Sequence, residues 1–116
     1  MRVEIPLKLP SLNEYINACR SNKYAGAKMK EQIENDISWY IKALPKFNKP
    51  VKIVFEWVES NKKRDLDNIC FAKKFILDAM VKCGKLENDN RNYVIGFEDK
   101  FSYAKENKVI LEIKEE

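Results

Sequence analysis

The segment that most restricts the fold, Val51 to Val58, is rich in β-branched and aromatic side chains. Residues of these types favour strands, and a run this apolar is typical of a strand in the middle of a sheet. Segments with apolar residues at steps of three and four, the spacing of one helix face, lie before and after it. A central strand between two helical segments predicts a mixed α+β domain.

The remaining segments complete the predicted architecture. Arg2 to Leu9 alternates apolar and polar side chains, as in a half-buried strand. Two apolar segments near the C terminus predict two more strands, joined through Lys105–Lys108 as a hairpin. The predicted strands are Arg2–Leu9, Val51–Val58, Tyr93–Tyr103 and Val109–Lys114, and the predicted helices run from about Tyr24 to Leu44 and from Leu66 to Cys83. We therefore expect a small single α+β domain over residues 1–116, with a mixed sheet of about four strands and two main helices.

Missing residue types exclude several kinds of chemistry. The chain has no histidine, and its three cysteines show no C-x-x-C spacing. Zinc fingers, Ser-His-Asp catalysis and Cys-His catalysis are therefore excluded, and the cysteines are interpreted as small apolar residues. The net charge of +4 suits a polyanionic partner without requiring one. Charges among the first residues and the lack of a long apolar run predict a soluble cytoplasmic protein without a membrane segment.

Two acids, Asp65 and Asp67, lie two residues apart where a basic loop leads into the second predicted helix. Carboxylates at this spacing can converge on one hard cation, since Mg²⁺ prefers oxygen ligands. Acids at a helix start also cap free N–H groups and suit the helix dipole. The motif therefore leaves two interpretations open: a metal site, or an N-cap at Asp65 with a first-turn acid at Asp67.

Two adjacent lysines follow on the same predicted helix. At about 100° per residue, Lys74 shares a face with Asp67 and Asp78. Spacing alone favours an ordinary i, i+4 ion pair between Lys74 and Asp78. Lys73 points toward the apolar stripe, where we expect its stem to be buried and its charge to reach water.

The motifs together resemble one known family. Arg64-Asp65-Leu66-Asp67-Asn68, followed by Lys74, Asp78, Ala79, Gly84 and Asn88-Asp89, is similar to the signature of the RusA Holliday junction resolvases. Pro10-Ser11-Leu12-Asn13 resembles the Pro-Ser-x-Asn segment that follows the first strand in that family. The resemblance runs over most of the chain and keeps the motifs in the same order.

The resemblance implies a function and roles for particular residues. It implies a homodimeric endonuclease of DNA recombination and repair, as in bacterial or prophage pathways, that resolves four-way junctions by paired symmetric nicks. Asp65, Asp67 and Asp89 would bind catalytic Mg²⁺, for which Mn²⁺ could substitute, and Lys74 would assist at the scissile phosphate. The spacing from Asp67 to the lysines is about three residues longer than in well-known members, roughly one helical turn, so Lys73 stays an alternative to Lys74.

Basic side chains around these motifs are the candidates for DNA contacts. Contacts to phosphate position a nucleic acid without reading its bases, which suits recognition of branch shape. For each residue, a solvated surface charge is the alternative. The DNA-binding candidates are Asn13, Arg20, Lys23, Lys62, Lys63, Arg64 and Arg91, with Lys28 as a further one. We assign the aromatic residues Trp57, Phe97, Phe101 and Tyr103 to core or dimer packing, with base stacking as the less favoured alternative.

Two other functions remain as alternatives. The chain could be a catalytically inactive DNA-binding or regulatory protein on the same scaffold, because Asn88 stands where many members have an acid. It could also be a structural or partner-binding domain in which Asp65 and Asp67 only stabilise a helix start.

Overall fold

A computed structural model describes residues 1–116 as one α+β domain with a four-stranded mixed sheet, which confirms the predicted fold class. The elements in chain order are β1 (Arg2–Ile5), α1 (Leu12–Ser21), α2 (Ala25–Ile41), β2 (Val51–Glu59), α3 (Leu66–Cys70), α4 (Lys73–Lys82), β3 (Val94–Tyr103) and β4 (Lys108–Glu115). No helix among them combines the length and the apolar composition required to span a bilayer.

The strand β2 lies inside the sheet, as its composition predicts. The sheet order is β1-β4-β2-β3, with β2 parallel to β3 and antiparallel to β4. Val51, Ile53, Phe55 and Trp57 alternate along β2 and are all buried in the core that the helices cover. The sheet therefore carries the core on one face, and its other face is open to solvent.

The predicted hairpin between the last two strands is wrong. β3 and β4 do not pair, because β2 lies between them. The short connection crosses the end of β2: the Ala104 N–H donates to the Glu59 carbonyl at 3.1 Å, and the Asn107 side chain accepts from the Ser60 N–H at 3.0 Å. The most apolar strand gains a hydrogen-bonded neighbour on each edge by taking this interior position.

The helix α1 was missed in the sequence. It begins with a capping box in which the Ser11 hydroxyl accepts from the Glu14 N–H at 3.1 Å and the Glu14 carboxylate accepts from the Ser11 N–H at 3.4 Å. None of its residues is fully buried, so it lacks a strong apolar stripe. It packs closely on α2, since a Cβ at Gly26 would lie 2.4 Å from the Cys19 sulfur.

The second predicted helix is divided at Phe71 and Ala72 into α3 and α4. The turn there is tightened: the Ala72 N–H donates to Ile69 at 3.2 Å, and the Lys74 N–H donates to Phe71 at 3.1 Å. Bonds to the third preceding residue belong to a 3₁₀ turn, which advances by about 120° per residue. The angular relation between Asp67 and Lys74, derived for one continuous helix at about 100° per residue, therefore changes across this turn.

Candidate active site

Asp65 and Asp67 lie at the start of α3, in the segment that follows the C-terminal end of β2. Asp65 occupies the N-cap position in extended conformation, yet its side chain makes no capping hydrogen bond. Asp67 accepts one local bond, from the Asn68 N–H at 3.0 Å. Both residues are exposed, and the ion pairs nearby are made by other acids. The capping explanation for Asp65 is therefore not what the structure shows.

Arg64 holds the segment that carries these acids. Its guanidinium donates to both carboxylate oxygens of Glu59 at 2.8 Å each and to the Leu9 carbonyl at 2.8 Å. The paired side chains are only 14% and 10% exposed. Two parallel charge-assisted bonds fix the orientation of a guanidinium more tightly than a single contact does. Arg64 thus joins the end of β2 to the β1–α1 connection, directly before Asp65.

This arrangement argues against Arg64 as a phosphate contact, the role the sequence suggested. Its charge is already offset by Glu59, and its accessible surface is small. We assign it a positioning role for the acid pair. Glu59 could not be identified as its partner from the sequence, because an acid at the end of a strand has many possible neighbours.

Lys73 is directed to the sheet. Its Nζ lies 2.5 Å from Asp99 Oδ2 and sits over the rings of Phe55 and Phe97, at 5.5 and 5.0 Å from their centroids. Asp99 also accepts from the Trp57 indole N–H at 2.9 Å. The Lys73 ammonium is therefore paired with Asp99, and both side chains are mostly buried.

Lys74 points elsewhere and is 57% exposed. Its Nζ lies 3.2 Å from Asp78 Oδ1, the i, i+4 pair expected from the spacing, and 3.9 Å from Asp89 Oδ2. Of the two adjacent lysines, Lys74 is the one that lies beside Asp89 and retains exposed charge.

A third lysine completes this network from α2. Lys30 Nζ lies 3.0 Å from Asp78 Oδ2 and 3.1 Å from Glu34 Oε2. Burial acts to raise the pKa of Asp78, but the hydrogen bonds from Lys30 and Lys74 outweigh it and lower that pKa below its ordinary value. The bond to Asp78 in turn raises the pKa of Lys30, against the opposing effect of burial. Nothing in the sequence connected Lys30 with α4.

Asp89 follows α4 in a turn that Asn88 organises. The Asn88 side-chain oxygen accepts from the Asp89 N–H at 2.7 Å and from the Asn90 N–H at 3.1 Å. Such Asx turns order a loop through the side chain at their first position. Asn88 therefore shapes the loop that presents Asp89, whose side chain is 29% exposed.

The donor chemistry around Asp65 and Asp67 suits a hard cation, because both carboxylates are exposed and free of a cationic partner. The structure does not, however, place any three histidine, cysteine, aspartate or glutamate side chains where they could hold one metal ion together. The expected meeting of Asp65, Asp67 and Asp89 at one point is therefore not formed here. Asp89 instead lies closest to a lysine, Lys74.

Comparison with known protein families decides the family. The family model described as Endodeoxyribonuclease RusA matches residues 2–114 of the 116-residue chain. The chain belongs to the RusA endodeoxyribonuclease family. A search of curated proteins finds no significant match.

In this RusA-family chain, the remaining DNA-binding candidates are exposed. Lys62 and Lys63 precede the acid pair, and the Lys62 ammonium lies 5.4 Å from the centre of the Tyr103 ring. Lys23 lies over the neighbouring Tyr24 ring at 5.6 Å. The candidates that stay exposed are Asn13, Arg20, Lys23, Lys28, Lys62, Lys63 and Arg91. Their contact with DNA stays a prediction.

Tyr15 is a packing residue. Its ring stacks on Phe71 with centroids 5.7 Å apart and meets Phe75 edge-on at 5.4 Å. Burial, followed by a hydrogen bond with Cys19, raises the pKa of its hydroxyl. These contacts attach α1 to the junction of α3 and α4.

Replacement of Arg64 tests the positioning role. Arg64→Gln leaves the Glu59 carboxylate without its cation, and we expect the free energy of unfolding to fall by about 3 kcal/mol, the lower end of the cost of breaking a buried pair. Lys63→Gln, one residue earlier and exposed, is the control and should change stability by less than about 0.5 kcal/mol. Urea unfolding measures both. Equal stability of the two variants would contradict the assignment.

Replacement of Lys30 tests the charge network. In Lys30→Met, burial of Asp78 is opposed by Lys74 alone, so the pKa of Asp78 should rise from its lowered position. A carboxyl group whose pKa is lowered by folding stabilises the folded state at pH values above its unfolded-state pKa. That stabilisation is lost as the pH falls, so the variant, in which the pKa is less lowered, should lose less stability on acidification. Carboxyl NMR titration gives the pKa. An unchanged Asp78 titration, matching that of the exposed control Lys28→Met, would refute the network.

Proposed function

We propose that this chain is a Mg²⁺-dependent, structure-selective endodeoxyribonuclease that resolves Holliday junctions or related branched DNA by paired symmetric nicks, in recombination and repair. Membership of the RusA family supports nuclease activity on DNA. The observation that carries the proposal is the pair Asp65 and Asp67, two exposed acids that neither cap the helix through Asp65 nor pair with a cation.

The acids and the lysine have different proposed roles, metal binding for the acids and charge stabilisation for the lysine. Asp65 and Asp67 would hold the divalent ion, for which Mn²⁺ is an acceptable substitute. Asp89 is not grouped with them in the structure and would have to move toward them to serve as the third ligand. When bound, such an ion supplies an activated water and offsets charge on the leaving oxygen. Lys74 stabilises the negative charge that grows on the phosphate, since its exposed ammonium lies beside Asp89. Arg64 positions the acid pair relative to the sheet through its ion pair with Glu59.

The substrate is contacted mainly through its phosphates. Exposed basic residues lie on both sides of the acid pair in sequence, Lys62 and Lys63 before it and Arg91 after it. The net charge of +4 favours association with a polyanion. Two copies are needed to cut two strands symmetrically, so we propose a homodimer. A cytoplasmic location is consistent with three unpaired cysteines.

A second candidate is a protein that binds junctions without cutting them. It is favoured by the one observation that no three metal-binding side chains are grouped in the structure. This protein would retain the basic surface and the fold, and would bind a four-way junction in either Mg²⁺ or Mn²⁺ without nicking it.

Cleavage of a synthetic four-way junction separates the two candidates. We expect nicking by the wild-type chain only with Mg²⁺ or Mn²⁺, and a loss of at least about a hundredfold in Asp67→Asn, because one ligand carboxylate becomes neutral. Asp36→Asn, an acid on α2 bonded to Gln32, is the matched control and should retain full activity. Equal nicking by wild type and Asp67→Asn would refute the metal role, and junction binding without nicking would establish the second candidate.

A further inference from the structure

The strand β3 is an uncovered edge of the sheet. It is ten residues long, whereas β1, at the opposite edge, has four. Ile95, Phe97 and Tyr103 on β3 are 44%, 49% and 54% exposed. A long edge strand with exposed apolar side chains is a template for another strand unless a charge, a bulge or a partner protects it. The bulge lies at the first end of β3, so the rest of the strand stays regular. Its charged residues, Glu98, Asp99 and Lys100, include both signs, so they repel a general partner strand less than a run of like charges would.

The backbone direction defines which residues of β3 can bond outward. The Ala104 N–H donates to Glu59 on β2, so the even-numbered positions before it along the regular strand also turn toward β2. Successive residues of a strand point their N–H and C=O groups to opposite sides. Phe97, Asp99, Phe101 and Tyr103 therefore present their backbone groups to the free side of the sheet.

The side chains of β3 match a second copy of the same strand. In an antiparallel pair centred on Asp99, Glu98 of one copy lies opposite Lys100 of the other, and Phe97 lies opposite Phe101. Both matches occur twice by symmetry. Glu98 and Lys100 are exposed and form no ion pair within the chain, so their charges are free for these contacts. The two Asp99 carboxylates meet at the centre, each already offset by Lys73.

Neighbouring registers lack this match. A centre at Glu98 places two glutamates opposite each other, and a centre at Lys100 places two lysines opposite each other. Like charges directly opposite destabilise a strand pair. The backbone N–H and C=O of Asp99 point to the free side of the sheet. Asp99 of each copy can therefore form a hydrogen-bonded pair with Asp99 of the other, as a strand pair centred on this residue requires.

We infer that β3 is the dimer interface, paired antiparallel with β3 of a second copy about Asp99. The two four-stranded sheets then form one continuous eight-stranded sheet. The charge and aromatic matches of this single strand carry the inference. It deepens the proposed function, on which the need for two copies rests, by naming the surface that joins them. Formation of the interface itself requires neither metal nor catalysis.

Charge reversal tests the interface through sedimentation of the full chain over a dilution series, without DNA or metal. We expect a wild-type dimer. Glu98→Lys places a lysine opposite Lys100 of the partner subunit, and Lys100→Glu creates the reverse repulsion, so each variant should dissociate at least roughly tenfold more readily. An equimolar mixture of the two variants restores opposite charges at both symmetric contacts and should dimerise again. The double variant Glu98→Lys/Lys100→Glu should behave as wild type.

The controls are Glu31→Lys on α2 and Lys114→Glu on β4, which change charge by the same amounts away from β3 and should leave the dimer intact. A monomeric wild type, single variants that still dimerise, or a mixture that stays monomeric would each overturn the inference. Because no cleavage is measured, a dimer with the expected charge dependence and no junction nicking would refute the nuclease proposal alone.

Discussion

The strand β2 pairs with a neighbouring strand on each of its two edges, and this interior position determines where the other elements lie. Because β4 and β3 occupy its two sides, the chain must cross the end of β2 between them, and β3 is left at the edge of the sheet. The segment that leaves β2 carries Asp65 and Asp67 into α3. The position of the acid pair and the exposed strand edge are therefore two consequences of one constraint, the need to enclose the most apolar strand.

Ion pairing distinguishes the cations that build the fold from those left for a ligand. Arg64 is held by Glu59 and Lys73 by Asp99, in pairs with little exposed surface. Enclosed pairs of this kind are costly to break, since either charge alone would be left without compensation. Lys74 differs, because Lys30 already shares the charge of Asp78 and the Lys74 ammonium remains exposed. Two adjacent lysines on one helix thus have different physical roles.

The sequence predicted the features that depend on local pattern. The four strands and α2 follow from periodicity, and β2 could be recognised as interior from its composition alone. The helix α1 was missed because it has no buried stripe, although Ser11 and Glu14 carry the spacing of a capping box and could have revealed it. The break at Phe71 was invisible because periodicity assumes a constant rotation per residue.

Features that depend on tertiary contacts could not be predicted. A four-residue connection suits a hairpin, and nothing local shows that β2 lies between its two strands. The partners Arg64–Glu59 and Lys30–Asp78 join segments whose proximity only the fold creates. The motif residues were nevertheless placed in the expected elements: the acid pair at a helix start, Lys74 on the following helix, and Asp89 in the turn after it.

Paramagnetic broadening by Mn²⁺ shows whether Asp65, Asp67 and Asp89 bind one divalent ion, as we propose. In amide NMR spectra of the wild-type chain, substoichiometric Mn²⁺ should broaden the signals of residues 65–67 and of residue 89 together, and excess Mg²⁺ should reverse the effect. Broadening that includes residues 65–67 but spares residue 89, or that spreads over unrelated surface acids, would contradict the claim.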